Sequence, residues 1–358
     1  VKTVAIIGAG ISGCTLAHSL SERGHKSLIF DKEDDICKGS SGNSALMLYP
    51  RISAFNSPFS RFAIQSFIFS SHLFEDLKVN GWNKTGVILL DNNKFAKKRI
   101  KELRSLENYS ELYRHISAEE ASKISKTKLY NEGLFFPSAG WIDPYKVCKE
   151  LASNSNTKIL TNEEVLEISK TKEKISVKTD KDIYLVDDIC LCNSTAVDTL
   201  YETKGIITKR GQTTLIESED SIKDLSTPIC GSGYISPKIN GLHILGSTYS
   251  KNTNLTPSVE DNLKNLGIHN EIFFSECSKS RIKGSEVGFR ATTLDFLPIA
   301  GKNSKFYFNI GHGSKGSTSA PLCSEYIADL INGSPISIDS EVVESLSWER
   351  FNSENSSS

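Results

Sequence analysis

The run Gly8-Ala-Gly10-Ile-Ser-Gly13 has the residue types and spacing to hold a dinucleotide pyrophosphate. It follows the apolar run Val4-Ala-Ile-Ile7 and opens a helical pattern through Leu16, Ala17 and Leu20. After Gly24 a second apolar run, Leu28-Ile-Phe30, ends in Asp31. Strand, glycine turn, helix, strand and acid make a complete βαβ unit. In such a unit Gly8 allows the tight turn, Gly10 lets backbone approach the pyrophosphate, and Gly13 lets helix and strand pack closely. Unpaired N–H groups and the macrodipole at the helix start favour the anion. Asp31, roughly 20 residues past the glycines, stands where a carboxylate takes the adenosine ribose hydroxyls. It would repel a 2′-phosphate, so FAD or NAD is expected rather than NADP.

The same spacing returns in Gly311-His-Gly313-Ser-Lys-Gly316, after the strand-like Phe306-Tyr-Phe-Asn-Ile310. A helical face of Leu322, Tyr326, Ile327, Leu330 and Ile331 follows, stopped by Gly333 and Pro335. No strand and acid come after it, so it fails as a second dinucleotide site. Its amides and helix N-terminus could instead face the pyrimidine end of a flavin whose pyrophosphate lies at Gly8–Gly13. There they would stabilise the negative charge of a reduced flavin. One flavin touched by both ends of the chain is the preferred reading, with His312 structural rather than catalytic.

The elements that position these runs are ordinary ones. The 358 residues, 38% hydrophobic and 24% charged, describe a globular protein with room for two domains. The net charge of −1 argues against indiscriminate nucleic-acid binding. A local basic patch, Lys97-Lys-Arg-Ile-Lys101 with Arg104, Lys123, Lys126 and Lys128, is weighed equally as a solvated helix face. No apolar run reaches the roughly 18 residues of a membrane helix, and the first residues serve the glycine turn better than a leader. Eight scattered cysteines read as free thiols in a reducing cytosol, with Cys190 and Cys192 on one strand face. Seven histidines without ligand spacing give no metal site, and there is no P-loop.

Residues 59–77 read as an amphipathic helix, 86–90 as a strand, 96–125 as charged helix and 144–151 as helix. Short strands follow at 158–161, 165–168, 175–179, 183–185 and 189–192, then a β-rich stretch over 205–250 with turns at Gly231, Gly233 and Asn240-Gly241. The tail 352–358 reads as disordered.

In order, these stretches resemble the D-amino-acid oxidase and glycine oxidase superfamily of FAD enzymes. Within it they are similar to the FAD-dependent oxidoreductase domain of the bifunctional tRNA 5-methylaminomethyl-2-thiouridine biosynthesis proteins. The residues that carry this are Gly39-Ser-Ser-Gly-Asn43 with Leu48-Tyr-Pro50, Phe136-Pro-Ser-Ala-Gly-Trp141 and Arg210-Gly-Gln212. Gly231-Ser-Gly-Tyr-Ile-Ser-Pro237 with Ile244-Leu-Gly246, Gly288-Phe-Arg-Ala-Thr-Thr-Leu-Asp-Phe-Leu-Pro298, and Gly311–Gly316 running into Ser319–Glu325 complete it. The likeness covers about residues 3–351. Departures are Ser44-Ala-Leu-Met47 where glycine is frequent, Lys315 for a usual Arg and Ser232 for a usual acid; these residues do not include the family's fused methyltransferase domain, so either a free-standing oxidoreductase or a fragment of a bifunctional protein is expected.

The resemblance implies an α/β fold: a Rossmann-like FAD-binding domain from 1–82, 140–208 and 288–351, and a β-rich α+β substrate domain from 83–139 and 209–287. It implies FAD held by Gly8, Ala9, Gly10, Ile11, Ser12, Gly13, Asp31, Lys32, Ser41, Gly42, Asn43, Ser44, Val165, Asn193, Ser194, Arg290, Gly311, Gly313, Ser314, Lys315 and Gly316. Arg290 is expected to bind a substrate carboxylate and Tyr234 to add a phenolic hydrogen bond. The implied reaction removes the carboxymethyl group from 5-carboxymethylaminomethyluridine at the tRNA wobble position, leaving 5-aminomethyluridine and glyoxylate. tRNA would be the substrate, a separate methyltransferase could act on the product, and the site would be cytoplasmic. The same Arg and flavin would also suit a free amino acid or N-methylated glycine, and a flavoprotein of lapsed redox role would be a third reading.

Overall fold

Alternating apolar residues build the central layer. In the computed structural model, which describes residues 1–53, 55–103, 111–251, 253–303 and 305–351, the strands Thr3–Ile7, Lys26–Phe30, Thr157–Leu160, Asp188–Leu191 and Tyr307–Ile310 run parallel in one sheet. Ile299–Lys302 closes one edge antiparallel. Side chains alternate across a strand, so Val4 and Ile6 face helices while Ala5 and Ile7 face the other side. The helices are Ile11–Glu22, Pro144–Ala152 and Gly316–Asn332, the first packed against both others. The other side is covered by an antiparallel meander of Val165–Lys170, Ile175–Thr179 and Ile183–Val186, whose Val165, Val177 and Val186 join Ala5 and Ile7 in one cluster.

An eight-stranded mixed sheet forms the second layer. Its long pair, Ile206–Glu217 and Ile282–Thr293, runs antiparallel over the whole of both strands. The helix Val259–Phe273 packs on it through Leu266, Ile272 and Phe273. Asn240 and Gly241, both at positive φ, make the tight turn expected there.

The stretch 96–125 departs from the helical expectation. The helix Lys94–Leu103 ends there, Arg114–Ile116 is an edge strand, and a capping box at Ser117 and Glu120 starts a new helix, Ala118–Ser125. The reciprocal Ser/Glu bonds satisfy amides that a continuous helix would not leave open. The basic patch is broken for a similar reason. Arg99 turns inward and donates to the Ile52 and Pro50 carbonyls, and Lys98 and Lys123 face Glu102 and Glu119. Arg104 and the tail 352–358 lie outside the described residues. All eight cysteines are free and buried, and Cys190 and Cys192 share a face with their sulfurs 3.7 Å apart. Among the described residues no helix is long and apolar enough to cross a membrane.

Candidate active site

Both glycine runs reach one elongated cavity of about 680 Å³. One end is lined by Asp31, Lys32, Glu163 and Val165, the middle by Gly8, Gly10–Ser12, Ser41, Asn193 and Ser194, and the other end by Tyr234, Arg290 and Gly311–Ser317. Gly8 sits at φ +109, and a Cβ on Gly13 would lie 2.0 Å from the Gly8 carbonyl oxygen. Helix and turn can touch only because both are glycine. Gly10 meets nothing but the Ser41 side chain, 3.1 Å from where its Cβ would be, so the space before it is open to a ligand. Ser41 Oγ accepts from Ile11 N, and Asp31 is fixed at 2.7 Å by Ala9 N. Asn193 Oδ1 is buried in the cavity wall without a hydrogen-bond partner, a group that a polar ligand would satisfy.

Four residues expected at the cofactor support the walls without lining them. Ala9 orients Asp31, and Gly13 closes the helix onto the turn. Gly42 packs on the Cys37 carbonyl, and Ser44 is bonded to Glu286 on the long strand. The polar turn between them is tied across the cavity by Ser40, which bonds Ser194 Oγ and the Phe289 carbonyl.

Arg290 projects from the long strand into the far end. Its guanidinium donates to Ser247 Oγ at 2.8 Å, approaches the Thr248 carbonyl at 3.5 Å and lies 4.8 Å from the Tyr249 ring centre. Among the described residues no carboxylate pairs with it. Gly211, across the strand pair, leaves its place, since a Cβ there would lie 2.3 Å from Arg290 Nη2. Arg210, one residue away, shows the opposite condition: it is buried on Asp261, Gln212 and two carbonyls, with four of its five donors committed. Tyr234 lines the same end, its hydroxyl held protonated by burial.

The second glycine run is partly committed to its own turn. Gly313 N donates to the Ala291 carbonyl at 2.8 Å and Lys315 N to that of His312 at 3.0 Å. In the first turn of the helix Gly316–Asn332, Thr318 N and Ser319 N donate to the Lys315 carbonyl, while Gly316 N and Ser317 N have no backbone acceptor. His312 is bonded on both nitrogens, to Ser319 Oγ and Asn309 Oδ1, and burial brings it down to about 4, so its ring is neutral. Lys315 Nζ rests 3.4 Å from the Tyr49 ring centre. Burial, with Arg99 and Arg51 nearby, lowers it to about 7 against the opposing pull of Cys230.

Residues 3–330 match the family described as FAD dependent oxidoreductase. The chain belongs to that family. This FAD-dependent oxidoreductase is 28% identical over 395 residues to the tRNA 5-methylaminomethyl-2-thiouridine biosynthesis bifunctional protein MnmC of Pseudomonas savastanoi, across 98% of this chain and 59% of that protein. It is also 28% identical over 385 residues to the Legionella pneumophila protein of the same name, across 98% and 57%. The oxidoreductase thus spans less than two thirds of the length of these relatives. Its fold matches glycine oxidase from Bacillus cereus with a TM-score of 0.79, 23% identity and 94% and 99% coverage. It matches L-proline dehydrogenase from P. horikoshii with a TM-score of 0.80, 22% identity and 98% coverage of both chains. FAD is the cofactor of the family, and the elongated cavity, the open face of Gly10 and the orphaned Asn193 oxygen fit it.

Tyr49, Tyr249 and Ser247 also line the cavity and Arg51 lies beside its Arg290 end; of these, sequence reasoning had only Tyr49, inside Leu48-Tyr-Pro50, and gave it no role. Arg51 follows directly on Leu48-Tyr-Pro50, which was the available signal. One cluster of potential ligand types lies outside the cavity. The fold gathers Glu219, His269 and Cys277 within 4.8 Å of one another, from a loop and a helix far apart in sequence. His269 Nε2 lies 2.9 Å from Glu219, and burial pushes the Cys277 thiol up to about 11, which leaves a protonated thiol beside a His–carboxylate contact.

Two measurements follow from this end of the cavity. Gly316→Pro removes one amide at the first helical position, a frequent place for proline, with Lys315 before it shifting from ψ 20 toward extended backbone. The midpoint potential of bound FAD should fall by about 20–40 mV, the equivalent of about 1–2 kcal/mol for two electrons. An unchanged potential at full occupancy would mean that the helix start has no part in holding charge. Burial brings Lys315 down to about 7, so a small carboxylate such as acetate should bind more weakly as pH rises through that region and the amine loses its charge. Titration followed by the flavin spectrum reads this, and Lys315→Met should flatten the profile.

Proposed function

We propose that the protein removes the carboxymethyl group from the 5-carboxymethylaminomethyl arm of a wobble uridine in tRNA. The observation that carries this is Arg290: a planar cation with no carboxylate partner among the described residues, at the far end of the cavity from Asp31. Whole-chain similarity to proteins named for tRNA 5-methylaminomethyl-2-thiouridine biosynthesis supplies the substrate class. The six-stranded layer would bind the cofactor and the eight-stranded layer the substrate. Gly8, Gly10–Ser12, Asp31, Lys32, Ser41, Asn43, Val165, Asn193 and Ser194 would hold the adenosine and pyrophosphate, and Gly311, Gly313–Gly316 and Arg290 the opposite end.

The arm ends in –CH₂–NH–CH₂–COO⁻. Arg290 makes two parallel hydrogen bonds to such a carboxylate and fixes the adjacent CH₂ in the cavity. Bound FAD supplies a two-electron oxidant. The CH₂ loses a hydride and the nitrogen a proton, leaving the imine –CH₂–N=CH–COO⁻. Water adds across that C=N bond, and the C–N bond breaks to give the aminomethyl arm and glyoxylate. No side chain has to act as acid or base if the amine binds neutral; orientation is what the protein contributes. Tyr234, protonated and lining the same end, would donate a hydrogen bond to the same carboxylate. Action on tRNA would put the protein in the cytoplasm, with a separate methyltransferase able to use the primary amine.

The test is mass spectrometry of wobble nucleosides after incubating the holoprotein with tRNA carrying the arm. The carboxymethylaminomethyl nucleoside should disappear as the aminomethyl nucleoside and an equal amount of glyoxylate appear. Unaltered nucleosides alongside rapid oxidation of glycine or sarcosine would replace the tRNA reading with a small-substrate oxidase.

A further inference from the structure

A second cavity, of 310 Å³, adjoins the reactive end of the first, and Tyr49, Tyr249, Arg290 and Lys315 line both. Arg51, Lys209 and Arg290 contribute three cations to its wall, with the Lys315 amine beside them, and among the described residues no carboxylate does. Lys209 and Arg290 stand side by side, paired in register on the two long strands. The Arg51 guanidinium lies between two rings, 5.7 Å from the Phe59 centre and 5.2 Å from that of Phe296. Phe296 nonetheless remains 61% exposed and Tyr249 62% exposed. Phe296 is held at φ +63, a region unfavourable for a bulky side chain. Its turn is anchored by the Phe296 N bond to Thr293 O and by the Asp295–Arg350 ion pair. The fold maintains an exposed aromatic ring there at a conformational cost.

Exposed rings beside unneutralised cations suit a nucleotide: bases stack on the rings and phosphates take the charges. The volume is at the lower end of the range for small-ligand pockets, about 300–1,000 Å³. The chemistry of the arm fixes the distance. With its carboxylate on Arg290, the reacting carbon is separated from the uracil ring only by the amine and one methylene. The ring must therefore lie in whatever space adjoins Arg290 on the outer side. We propose that the second cavity is a nucleotide subsite in which Phe296 and Tyr249 stack the wobble base while Arg51 and Lys209 bind flanking phosphates. This rests on the tRNA reading above and adds the residues that select RNA over a free amino acid.

The test uses holoprotein and an anticodon stem-loop RNA carrying 5-bromouridine at the wobble position. Irradiation should cross-link the RNA to peptides containing Tyr249 or Phe296. Cross-links confined to other surfaces, such as the lysines of Lys94–Leu103, would overturn the assignment. Phe296→Ala, at an exposed position, should weaken stem-loop binding about 5- to 150-fold, the range of one lost base–aromatic stack. Lys209→Gln should lower the slope of log affinity against log salt by about 0.7. Unchanged affinity and slope in both variants would also overturn it. The reaction is read separately on the parent protein. Cross-linking in the cavity without oxidation of the modified arm keeps the subsite and removes the reaction. Oxidation with cross-links elsewhere removes the subsite and keeps the reaction.

Discussion

Arg290→Ala should slow the reduction of bound FAD by substrate about thirtyfold to several thousandfold. Losing one member of a desolvated charge pair costs about 2–5 kcal/mol, and each 1.36 kcal/mol is a decade in rate. FAD occupancy should stay near that of the parent, because the pyrophosphate end of the cavity is built from Gly8–Gly13 and Ser41. Arg290→Lys should recover only part of the rate, since it keeps the charge and loses the planar fork. A second route leaves Arg290 intact. Gly211→Ala would set a methyl 2.3 Å from Nη2, and the flexible side chain would give way before the sheet did. The fold should survive while the guanidinium moves, with a loss of rate between those of the lysine and alanine variants. Anaerobic single-turnover reduction by tRNA bearing the arm reads all three, with glycine and sarcosine as controls. Parent-like reduction in Arg290→Ala would remove the carboxylate assignment. Faster reduction by glycine than by tRNA would leave Arg290 its role and change the substrate.

Gly10→Val should give a folded, colourless protein. The Cβ itself meets only Ser41 Oγ at 3.1 Å, so the backbone has no reason to rearrange. The two methyl groups beyond it fill the space that pyrophosphate must enter. Flavin released by denaturation should fall below about a tenth of the parent's, which corresponds to at least 1.4 kcal/mol at subsaturating FAD. Added FAD should raise the parent's unfolding temperature, by about 2.7 kcal/mol of stabilisation at a hundred times Kd, and leave the variant's unmoved. Parent-like flavin content would show that the cofactor does not pass Gly10. Gly13→Val makes an informative contrast: its Cβ would lie 2.0 Å from backbone oxygen, so that variant should lose the fold together with the cofactor.

The βαβ unit was legible because its signals are local. Strand alternation, three glycines and a terminal acid all fall within residues 4–31, and the parallel register of Thr3–Ile7 with Lys26–Phe30 follows directly. The convergence of Gly8–Gly13 with Gly311–Gly316 was legible only by matching two motifs to one ligand. The vacancy that Gly211 leaves for Arg290 was not, because it depends on the register of two strands about 80 residues apart. Arg99 looked like a surface cation until the fold supplied the carbonyls of Pro50 and Ile52. Arg51, hidden beside a quoted motif, gained meaning only when Phe296 was brought over it. The break in the helical stretch at Ser117 was written in Ser117-x-x-Glu120, a capping signature outweighed by the surrounding charge density.

The cavity joins Gly8 to Gly316, and this has a consequence for the time course of biosynthesis. The strand Tyr307–Ile310 and the helix that follows it are made some 300 residues after the first βαβ unit, about 15–60 s at 5–20 residues per second. Until then the nascent chain has half a binding site and an unpaired sheet edge at Asp188–Leu191. Flavin capture therefore waits until the second half of the site has been made. A message truncated before Gly311 yields a chain that cannot colour, so yellow protein in a cell extract reports completed synthesis through both halves of the site.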